Sequence, residues 1–234
     1  MPELIFIIVE PAREENVGAS ARAMKTMGLK QLRLVRPKCN PLGTRALATA
    51  HASADILENA LVLDSFQQAI EGIDLVIAST AKKRTVYEDH HKVEDLPGII
   101  LAKGDSISTV AIVFGREESG LTNDELSFCH LFSNIPMAAD YPSLNLGQAV
   151  MVYAAYLSKL TLEKKETAVM SPPVAELSVV REKAHQVLDD VGLQPSDTVY
   201  PRIMERLMLL NKDEVNLFHT FCKAYLLKYH GRIK

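Results

Sequence analysis

The chain has 234 residues, of which 47% are hydrophobic and 24% are charged, and its formal net charge is −3. This length allows one large domain, or a medium domain with a smaller one, and is sufficient to bury a core. The composition excludes a low-complexity chain, and the net charge excludes a protein that binds nucleic acid through bulk basicity.

Short apolar runs alternate with helical patterns through the first two thirds of the chain. The runs that predict strands are Leu4–Val9, Leu32–Val35, Leu61–Leu63, Leu75–Ala78, Val110–Phe114 and, more weakly, Leu131–Ile135. The segments that predict helices lie near Val17–Met27, Thr44–Ala50, Ser65–Glu71, Leu96–Lys103 and Thr122–Phe128. Continuous apolar strands interleaved with helices indicate an α/β domain, with a mostly parallel sheet covered by helices on both faces. We assign residues 1–160 to this domain.

The domain is predicted to end in a helix, and a linker and further helices are predicted to follow it. The segment Asn145–Leu160 is apolar on nearly every side, so we expect it to be buried all round, either inside the domain or against another subunit. Residues 161–173 form a polar linker that ends in two prolines, and residues 174–234 show helical patterns only. The sequence therefore predicts a small helical C-terminal extension.

Charge and cysteine content narrow the class of protein further. The first 50 residues carry eight Lys or Arg and four acidic residues, a local surplus of four positive charges. Such a surface can bind phosphates although the whole chain is acidic; a solvated helix face is the alternative. Three widely separated cysteines, with no His at ligand spacing, argue against a disulfide framework or a metal site. With no apolar run long enough for a membrane span, we expect a cytoplasmic protein without a membrane partner.

No familiar phosphate-binding loop follows the first strand. The segment EPAREENVGASARAM lacks the G-x-G-x-x-G pattern of dinucleotide-binding sheets, and the chain has no P-loop. Ligands of open α/β sheets bind at loops that follow the carboxyl ends of strands. Three such loops carry unusual residues, namely Ser79–Ala81, Gly115–Gly120 and Ile135–Asn145.

Three segments resemble the motifs of a known family. They are NVGASARAMKTMG at residues 16–28, VFGREESGLTNDEL at residues 113–126 and IPMAADYPSLNLGQAV at residues 135–150. In order and spacing they are similar to the three motifs of the SpoU branch of the SPOUT superfamily, whose members are RNA ribose 2'-O-methyltransferases that use S-adenosylmethionine. The chain most resembles the TrmJ-type tRNA methyltransferases, over its first 160 residues. The resemblance implies a deep C-terminal trefoil knot in the α/β domain, an obligate homodimer, an RNA substrate and a cofactor bound in the knot.

The resemblance also implies which residues are catalytic. Asn16 and Arg22, six residues apart and expected on roughly the same face of a helix start, shape the site and meet the phosphate and ribose of the target nucleotide. Arg22 acts either as general base or as stabiliser of the developing alkoxide, and the high pKa of a guanidinium favours the second role. Glu117 orients Arg22 or the nucleotide, while Ser143 and Asn145 hydrogen-bond to cofactor or substrate.

The cofactor residues implied by the resemblance are uncharged. A glycine at position 115 is expected to permit close approach of the backbone to the cofactor, with apolar walls and backbone groups from the other loops. The predicted set is Ser79, Thr80, Ala81, Gly115, Ile135, Ser143, Leu144 and Asn145. The basic run Lys82, Lys83 and Arg84 could hold RNA phosphates, or be simply solvated.

Each predicted residue also has an ordinary structural interpretation. Arg22 on an amphipathic helix is commonly a surface charge, Glu117 could pair with the neighbouring Arg116, and Ser143 and Asn145 are residues that cap helices readily. For the whole protein, the alternatives are an rRNA 2'-O-methyltransferase, a catalytically silent RNA-binding protein of the same fold, and a nucleotide-binding metabolic enzyme. The resemblance favours tRNA, with nucleotide 32 of the anticodon loop as the expected target, but the residues leave the RNA and the nucleotide open.

Overall fold

A computed structural model describes residues 1–80, 90–138, 144–162 and 177–231. The chain separates into two units. The larger comprises Glu3–Pro97 and Thr109–Lys165, and the smaller comprises Met1–Pro2, Gly98–Ser108 and Glu166–Lys234. Residues Gly98–Ser108, which lie within the α/β part of the sequence, therefore belong with the C-terminal helices.

A seven-stranded parallel sheet forms the centre of the larger unit. Its strands are β1 (Glu3–Val9), β2 (Gln31–Val35), β3 (Leu61–Leu63), β4 (Leu75–Ser79), β5 (His90–Lys92), β6 (Thr109–Phe114) and β7 (Leu131–Asn134), in the spatial order β3-β2-β1-β6-β4-β7-β5. Every apolar run predicted as a strand is one. The prediction missed β5 because this short edge strand is polar and shows no apolar period.

In the described part of the chain, six helices lie between these strands, and two further helices of the larger unit follow the last strand. They are α1 (Glu14–Thr26), α2 (Thr44–Ala50), α3 (Ala54–Glu58), α4 (Phe66–Ile70), α5 (Leu96–Ala102), α6 (Asn123–Ser127), α7 (Leu146–Leu157) and α8 (Lys159–Leu162). Capping boxes with Ser65, Thr122 and Asn145 at the N-cap begin α4, α6 and α7. Among the described helices of the chain, none is long and apolar enough to cross a membrane.

The apolar helix α7 is buried along one side only. Its buried residues are Leu146, Gly147, Val150, Tyr153, Ala154 and Leu157. Gly147 faces α1 so closely that an added Cβ would lie 2.8 Å from the Cβ of Ala19. On the other side Met151, Val152 and Tyr156 are only partly buried and Ala155 is exposed. Within one chain, therefore, the helix is not buried all round.

The smaller unit contains α9 (Leu177–Asp190), α10 (Val199–Leu209) and α11 (Lys212–His230). Buried apolar residues of all three helices form its core. The Lys183 ammonium lies 2.7 Å from Nε2 of His219, and a hydrogen bond joins His185 to Tyr200. These polar contacts join α9 to α11 and to α10.

A fully buried lysine lies in the same unit. Lys103, between α5 and the following turn, has no exposed surface, and its ammonium donates a hydrogen bond of 2.9 Å to the carbonyl of Leu210 at the end of α10. Burial lowers the pKa of Lys103 to about 8 from 10.5, although the Glu214 carboxylate opposes part of the shift. Because the effect of burial on the pKa outweighs the attraction of the Glu214 carboxylate, the charged form of Lys103 destabilises the folded state.

This lysine predicts a pH dependence of stability. Between its folded pKa of about 8 and its ordinary value of 10.5 the unfolded chain binds more protons than the folded chain, so the free energy of unfolding rises with pH. From about pH 7 to about pH 9 we expect Lys103 to contribute an increase of about 1 kcal/mol. Denaturant titrations give the free energy of unfolding of the wild type and of Lys103→Met at both pH values. The increase with pH in the wild type minus the increase in Lys103→Met is the contribution of Lys103. An exposed control, Lys223→Met, should retain the wild-type increment; the same increment in Lys103→Met would contradict the prediction.

Candidate active site

The strand order brings the three predicted loops together. β6, β4 and β7 are consecutive and parallel in the sheet. Gly115, Thr80 and Ile135, which directly follow these strands, therefore lie at the same carboxyl edge, where open α/β sheets bind ligands. Two of the predicted cofactor residues, Ala81 and Ser143, lie outside the described residues, as do Lys82, Lys83 and Arg84.

Two buried hydroxyl groups occupy this edge of the sheet. Tyr153 of α7 and Ser133 of β7 are fully buried, and neither hydroxyl has a hydrogen-bond partner in the described part of the chain. Burial raises the pKa of Tyr153, and the Ser133 and Ser79 hydroxyls are near enough to lower it in part. The Ser133 and Ser79 hydroxyls do not meet hydrogen-bond geometry with the Tyr153 hydroxyl. The Tyr153 and Ser133 hydroxyls are therefore unpaired in the described part of the chain. Unpaired buried hydroxyls indicate that this edge is suited to a polar ligand.

The predicted cofactor residues that the structure describes have side chains suited to the nucleoside part of S-adenosylmethionine. Ser79, Thr80 and Gly115 bring no ionisable side chain, and Ile135 and Leu144 are half-buried apolar residues. The Thr80 amide, however, donates to the Ser133 carbonyl at 2.8 Å. This N–H extends the pairing of β4 with β7, so it is not available to a ligand.

Gly115 is required by its own loop. A Cβ at this position would lie 2.3 Å from the carbonyl carbon of Gly120 and 2.5 Å from the nitrogen of Leu121. The approach is this close because Arg116 and Gly120 exchange backbone hydrogen bonds of 3.1 Å and 2.9 Å. Gly120 makes the turn with φ of +69°. The need for glycine at position 115 thus has a local cause, and a substitution there would disturb the loop before any cofactor contact.

Glu117 joins this loop to the start of α1. Its carboxylate accepts the Ala12 amide at 3.2 Å and 3.3 Å, and the side-chain amide of Asn16 at 3.2 Å. A carboxylate beside the first turn of a helix is also favoured by the helix dipole. Glu117 and Asn16, which come from two separate motifs, therefore form one cluster.

Arg22 lies apart from that cluster. It is exposed, and it follows Asn16 by six residues on α1, which places the two side chains about 120° apart around the helix axis. The expectation that they share a face is therefore wrong. The structure contains no contact between Arg22 and Glu117, and the Arg22 guanidinium has no partner among the described residues.

Other cations of the N-terminal surplus are engaged in ion pairs. Lys25 lies 2.7 Å from Asp55, and Arg45 lies 3.2 Å from Glu15. Their charges are partly neutralised, whereas Arg22 on the same surface retains its full charge for an anion such as a phosphate.

Asn145 caps α7. Its side-chain oxygen accepts the amide of Gln148 at 2.7 Å, and the Gln148 side chain accepts the amide of Asn145 at 3.0 Å. The capping interpretation of Asn145 is confirmed, and its contact with cofactor or substrate remains a prediction.

Sequence reasoning missed a charged cluster, the Arg116 network, which comprises Arg116, Glu10, Glu125 and Arg36. The Arg116 guanidinium donates two hydrogen bonds of 2.9 Å to Glu125 and one of 3.0 Å to Glu10, which lies 2.8 Å from Arg36. Glu125 and Glu10 raise the pKa of Arg116, and Arg116 holds that of Glu10 below its ordinary value. The alternative pairing of Arg116 with Glu117 is wrong. The spacing of Thr122 and Glu125 indicates a capping box from the sequence alone. The sequence does not indicate that the Glu125 carboxylate also binds Arg116.

A family model described as the SpoU rRNA Methylase family matches residues 3–155, which include the whole sheet and all three motifs. The chain belongs to this SpoU family. A second model, the C-terminal domain of the tRNA/rRNA methyltransferase LasT, matches residues 175–229. The resemblance recognised in the three motifs is confirmed, together with the α/β fold and the helical C-terminal region.

Similar SpoU proteins cover most of the chain. LasT of Escherichia coli (strain K12), named an uncharacterized tRNA/rRNA methyltransferase, is 37% identical over 216 residues, which are 92% of this chain and 94% of LasT. TrmJ of Pectobacterium atrosepticum, named a tRNA (cytidine/uridine-2'-O-)-methyltransferase, is 40% identical over 166 residues, 69% of this chain and 68% of TrmJ. The solved structure of a probable methylase family protein from Haemophilus influenzae Rd KW20 has a TM-score of 0.69 and 31% identity and covers 98% of each chain.

The chain is therefore an enzyme of the SpoU tRNA/rRNA methyltransferase family, and SpoU methyltransferases bind S-adenosylmethionine. The resemblance implies a knot at the loops Ser79–Ala81, Gly115–Gly120 and Ile135–Asn145, of which residues 81 and 139–143 lie outside the described residues. The threading of the knot, the homodimer and the roles of individual site residues accordingly remain predictions.

Proposed function

We propose that this SpoU enzyme methylates the 2'-hydroxyl of a pyrimidine ribose in tRNA, at nucleotide 32 of the anticodon loop. The observation that carries the proposal is the juxtaposition of motifs at one edge of the sheet. The cofactor loops follow β6, β4 and β7, and the Glu117–Asn16 cluster follows β6 and β1, the neighbouring strand. A nucleotide held beside α1 would therefore lie next to the cofactor.

The protein has little covalent chemistry to perform. When bound, S-adenosylmethionine supplies a methyl group already activated by its sulfonium. The side chains need to hold the ribose oxygen in line and to stabilise the charge that develops on it. We assign charge stabilisation and phosphate binding to Arg22, because its guanidinium is exposed and without a partner among the described residues. We assign to Glu117 and Asn16 the task of fixing the first turn of α1, the helix that carries Arg22.

The choice of tRNA and of a pyrimidine rests on the relatives. TrmJ proteins, at 36–40% identity, are named for cytidine and uridine 2'-O-methylation of tRNA. The test is to incubate the enzyme and S-adenosylmethionine with tRNA, and separately with ribosomal RNA, from cells that lack the enzyme, and to map ribose methylation. We expect one new 2'-O-methyl group at nucleotide 32. Methylation of ribosomal RNA alone would support the rRNA alternative, and methylation of neither would reject the proposal.

We also propose that a second copy of the chain covers the free side of α7. This side is formed by Met151, Val152, Ala155 and Tyr156, which one chain leaves partly or fully exposed. An apolar helix surface of this kind gains free energy by burial against a partner. The family resemblance, which implies an obligate homodimer, supports a second copy as that partner.

Ala155→Glu is expected to give a folded monomer, because a carboxylate in an apolar interface would lose its hydration without a counter-charge. The substitution lies on an exposed position, so the chain itself should fold. Ala154→Glu, one position earlier, should instead prevent folding, since Ala154 is fully buried within one chain. Sedimentation velocity with a thermal melt distinguishes these outcomes, with Ala224→Glu on α11 as an exposed control. A dimeric Ala155→Glu protein would contradict this placement of the interface.

A further inference from the structure

We propose that Arg116 is a positioning residue that acts through Glu117: it holds the loop after β6 so that the Glu117 carboxylate meets Asn16 and the start of α1. The inference rests on the proposed function for its effect on the reaction. Its structural claim, that Arg116 determines where Glu117 lies, can be measured without any reaction.

The hydrogen bonds that Glu117 accepts are longer than those that the preceding residue, Arg116, donates to Glu125. They measure 3.2 Å, 3.2 Å and 3.3 Å, at the long end of the range for hydrogen bonds to oxygen. The residue before it is held much more firmly. The Arg116 guanidinium donates two hydrogen bonds of 2.9 Å to the two oxygens of Glu125. This bidentate geometry defines the orientation of the two groups as well as their distance. Arg116 therefore holds the loop in place, and the position of the loop determines where the next residue, Glu117, lies.

The Arg116 network includes residues that follow the ends of two neighbouring strands. Glu10 and Arg36 directly follow β1 and β2, and their backbones have φ of +46° and +44°. Non-glycine residues hold this left-handed conformation only where surrounding interactions maintain it, and such residues concentrate at functional sites. Their side chains pair with each other at 2.8 Å, and Glu10 also accepts from Arg116 at 3.0 Å. The network thus fixes the position of the β6 loop relative to the ends of β1 and β2.

Stability alone does not explain the network. The side chains of Arg116, Glu10 and Glu125 are only 19%, 17% and 8% exposed, so their charges have lost most of their hydration. Buried ion pairs of this kind commonly stabilise a fold no better than well-packed apolar residues do. The Arg116 guanidinium defines the geometry of its contacts, and an apolar side chain would not. That geometry places the next residue, Glu117, against α1.

The test is a double-mutant cycle between Arg116→Lys and Glu117→Ala, measured by single-turnover methylation with saturating enzyme. Lysine keeps the charge and loses the fork, so Arg116→Lys alone should slow methylation by about tenfold to a hundredfold, the effect expected of a small misplacement. In the Glu117→Ala background it should have no further effect, because the side chain through which it acts is already removed. Equal slowing in both backgrounds would overturn the proposal.

A spectroscopic readout tests the structural claim independently of activity. In the wild type the Ala12 amide donates to Glu117. In Arg116→Lys its proton resonance should move upfield as that bond is lost; an unchanged Ala12 resonance would contradict the proposal even in an inactive enzyme. If the wild type methylates no RNA, the proposed function fails while this readout still decides the role of Arg116.

Two further variants control for folding. Arg33→Lys removes another partly buried guanidinium, which donates to the Ala69 carbonyl at 2.7 Å, and should leave both the methylation rate and the Ala12 resonance unchanged. Glu10→Gln weakens the network but keeps the Glu125 fork. Glu10→Gln should slow methylation less than Arg116→Lys does, and this effect should also disappear in the Glu117→Ala background. If Arg116→Lys fails to fold, Glu10→Gln decides by the same criterion: an effect that persists without Glu117 overturns the proposal.

Discussion

Replacing Arg22 with Ala should slow single-turnover methylation by about two to three orders of magnitude, the scale of losing one preorganised donor to a developing negative charge. S-adenosylmethionine binding should be nearly unchanged, because the cofactor loops follow β6, β4 and β7 whereas Arg22 lies on α1. The loss should fall on the chemical step, since the interaction strengthens as charge builds on the ribose oxygen. Single-turnover assays on unmodified tRNA, beside calorimetric titration of the cofactor, measure the two effects separately.

Two variants sharpen this experiment. Arg22→Lys should recover little activity, because a point charge does not reproduce the planar donor fork. Lys25→Ala removes a charge from the same helix, but from a side chain already paired with Asp55 at 2.7 Å; it should weaken RNA binding slightly and leave the saturated rate unchanged. Near-normal turnover in Arg22→Ala would remove this residue from the active site, and loss of cofactor binding would give it a different role.

Gly18→Ala should destabilise the larger unit by about 3 kcal/mol or more, because it forces two packed helices apart. A Cβ at Gly18 on α1 would lie 2.0 Å from the hydroxyl oxygen of Thr49 and 2.1 Å from the carbonyl oxygen of Ala46, both on α2. The backbone carbonyl cannot rotate away as a side chain can. Since α1 also carries Asn16 and Arg22, methylation should fall as well. Denaturant titration of the purified variant measures the loss of stability.

The matched control is Gly98→Ala in α5. Nothing lies within 4 Å of a Cβ added there, and its backbone is not left-handed. Alanine in a helix restricts the unfolded chain more than glycine does, so this variant should be more stable than the wild type by up to about 1 kcal/mol. Equal stability of the two variants would show that the closeness of α1 and α2 does not restrict residue 18.

Prediction from sequence was most complete for features of local origin. The predicted strands depend on continuous apolar runs such as Val110–Phe114, which in the structure is part of β6, with all five residues buried. The cap of α7 depends on the spacing of Asn145 and Gln148, three residues apart. The three motifs were recognised from residue types and spacing, and the family match confirms them.

Prediction was least complete where partners come from distant segments. Arg116 was considered with its neighbour Glu117, but its partners are Glu125 and Glu10, and the second of these lies on another strand end. Gly115 was explained by a ligand, whereas its own loop already requires glycine. The edge strand β5 has a polar sequence that no periodic pattern distinguishes from a loop.

By itself the sequence determined the α/β class, the main helices and strands, the motif residues and the family, because burial periods, caps and motif spacings are local properties of the chain. Only the tertiary structure decided that β6, β4 and β7 are neighbours, that Glu117 binds Asn16 while Arg22 lies elsewhere on α1, and that α7 has one covered side. Strand order and side-chain pairing depend on contacts between segments far apart in the chain. An apolar run predicts a strand, but not which strand lies beside it.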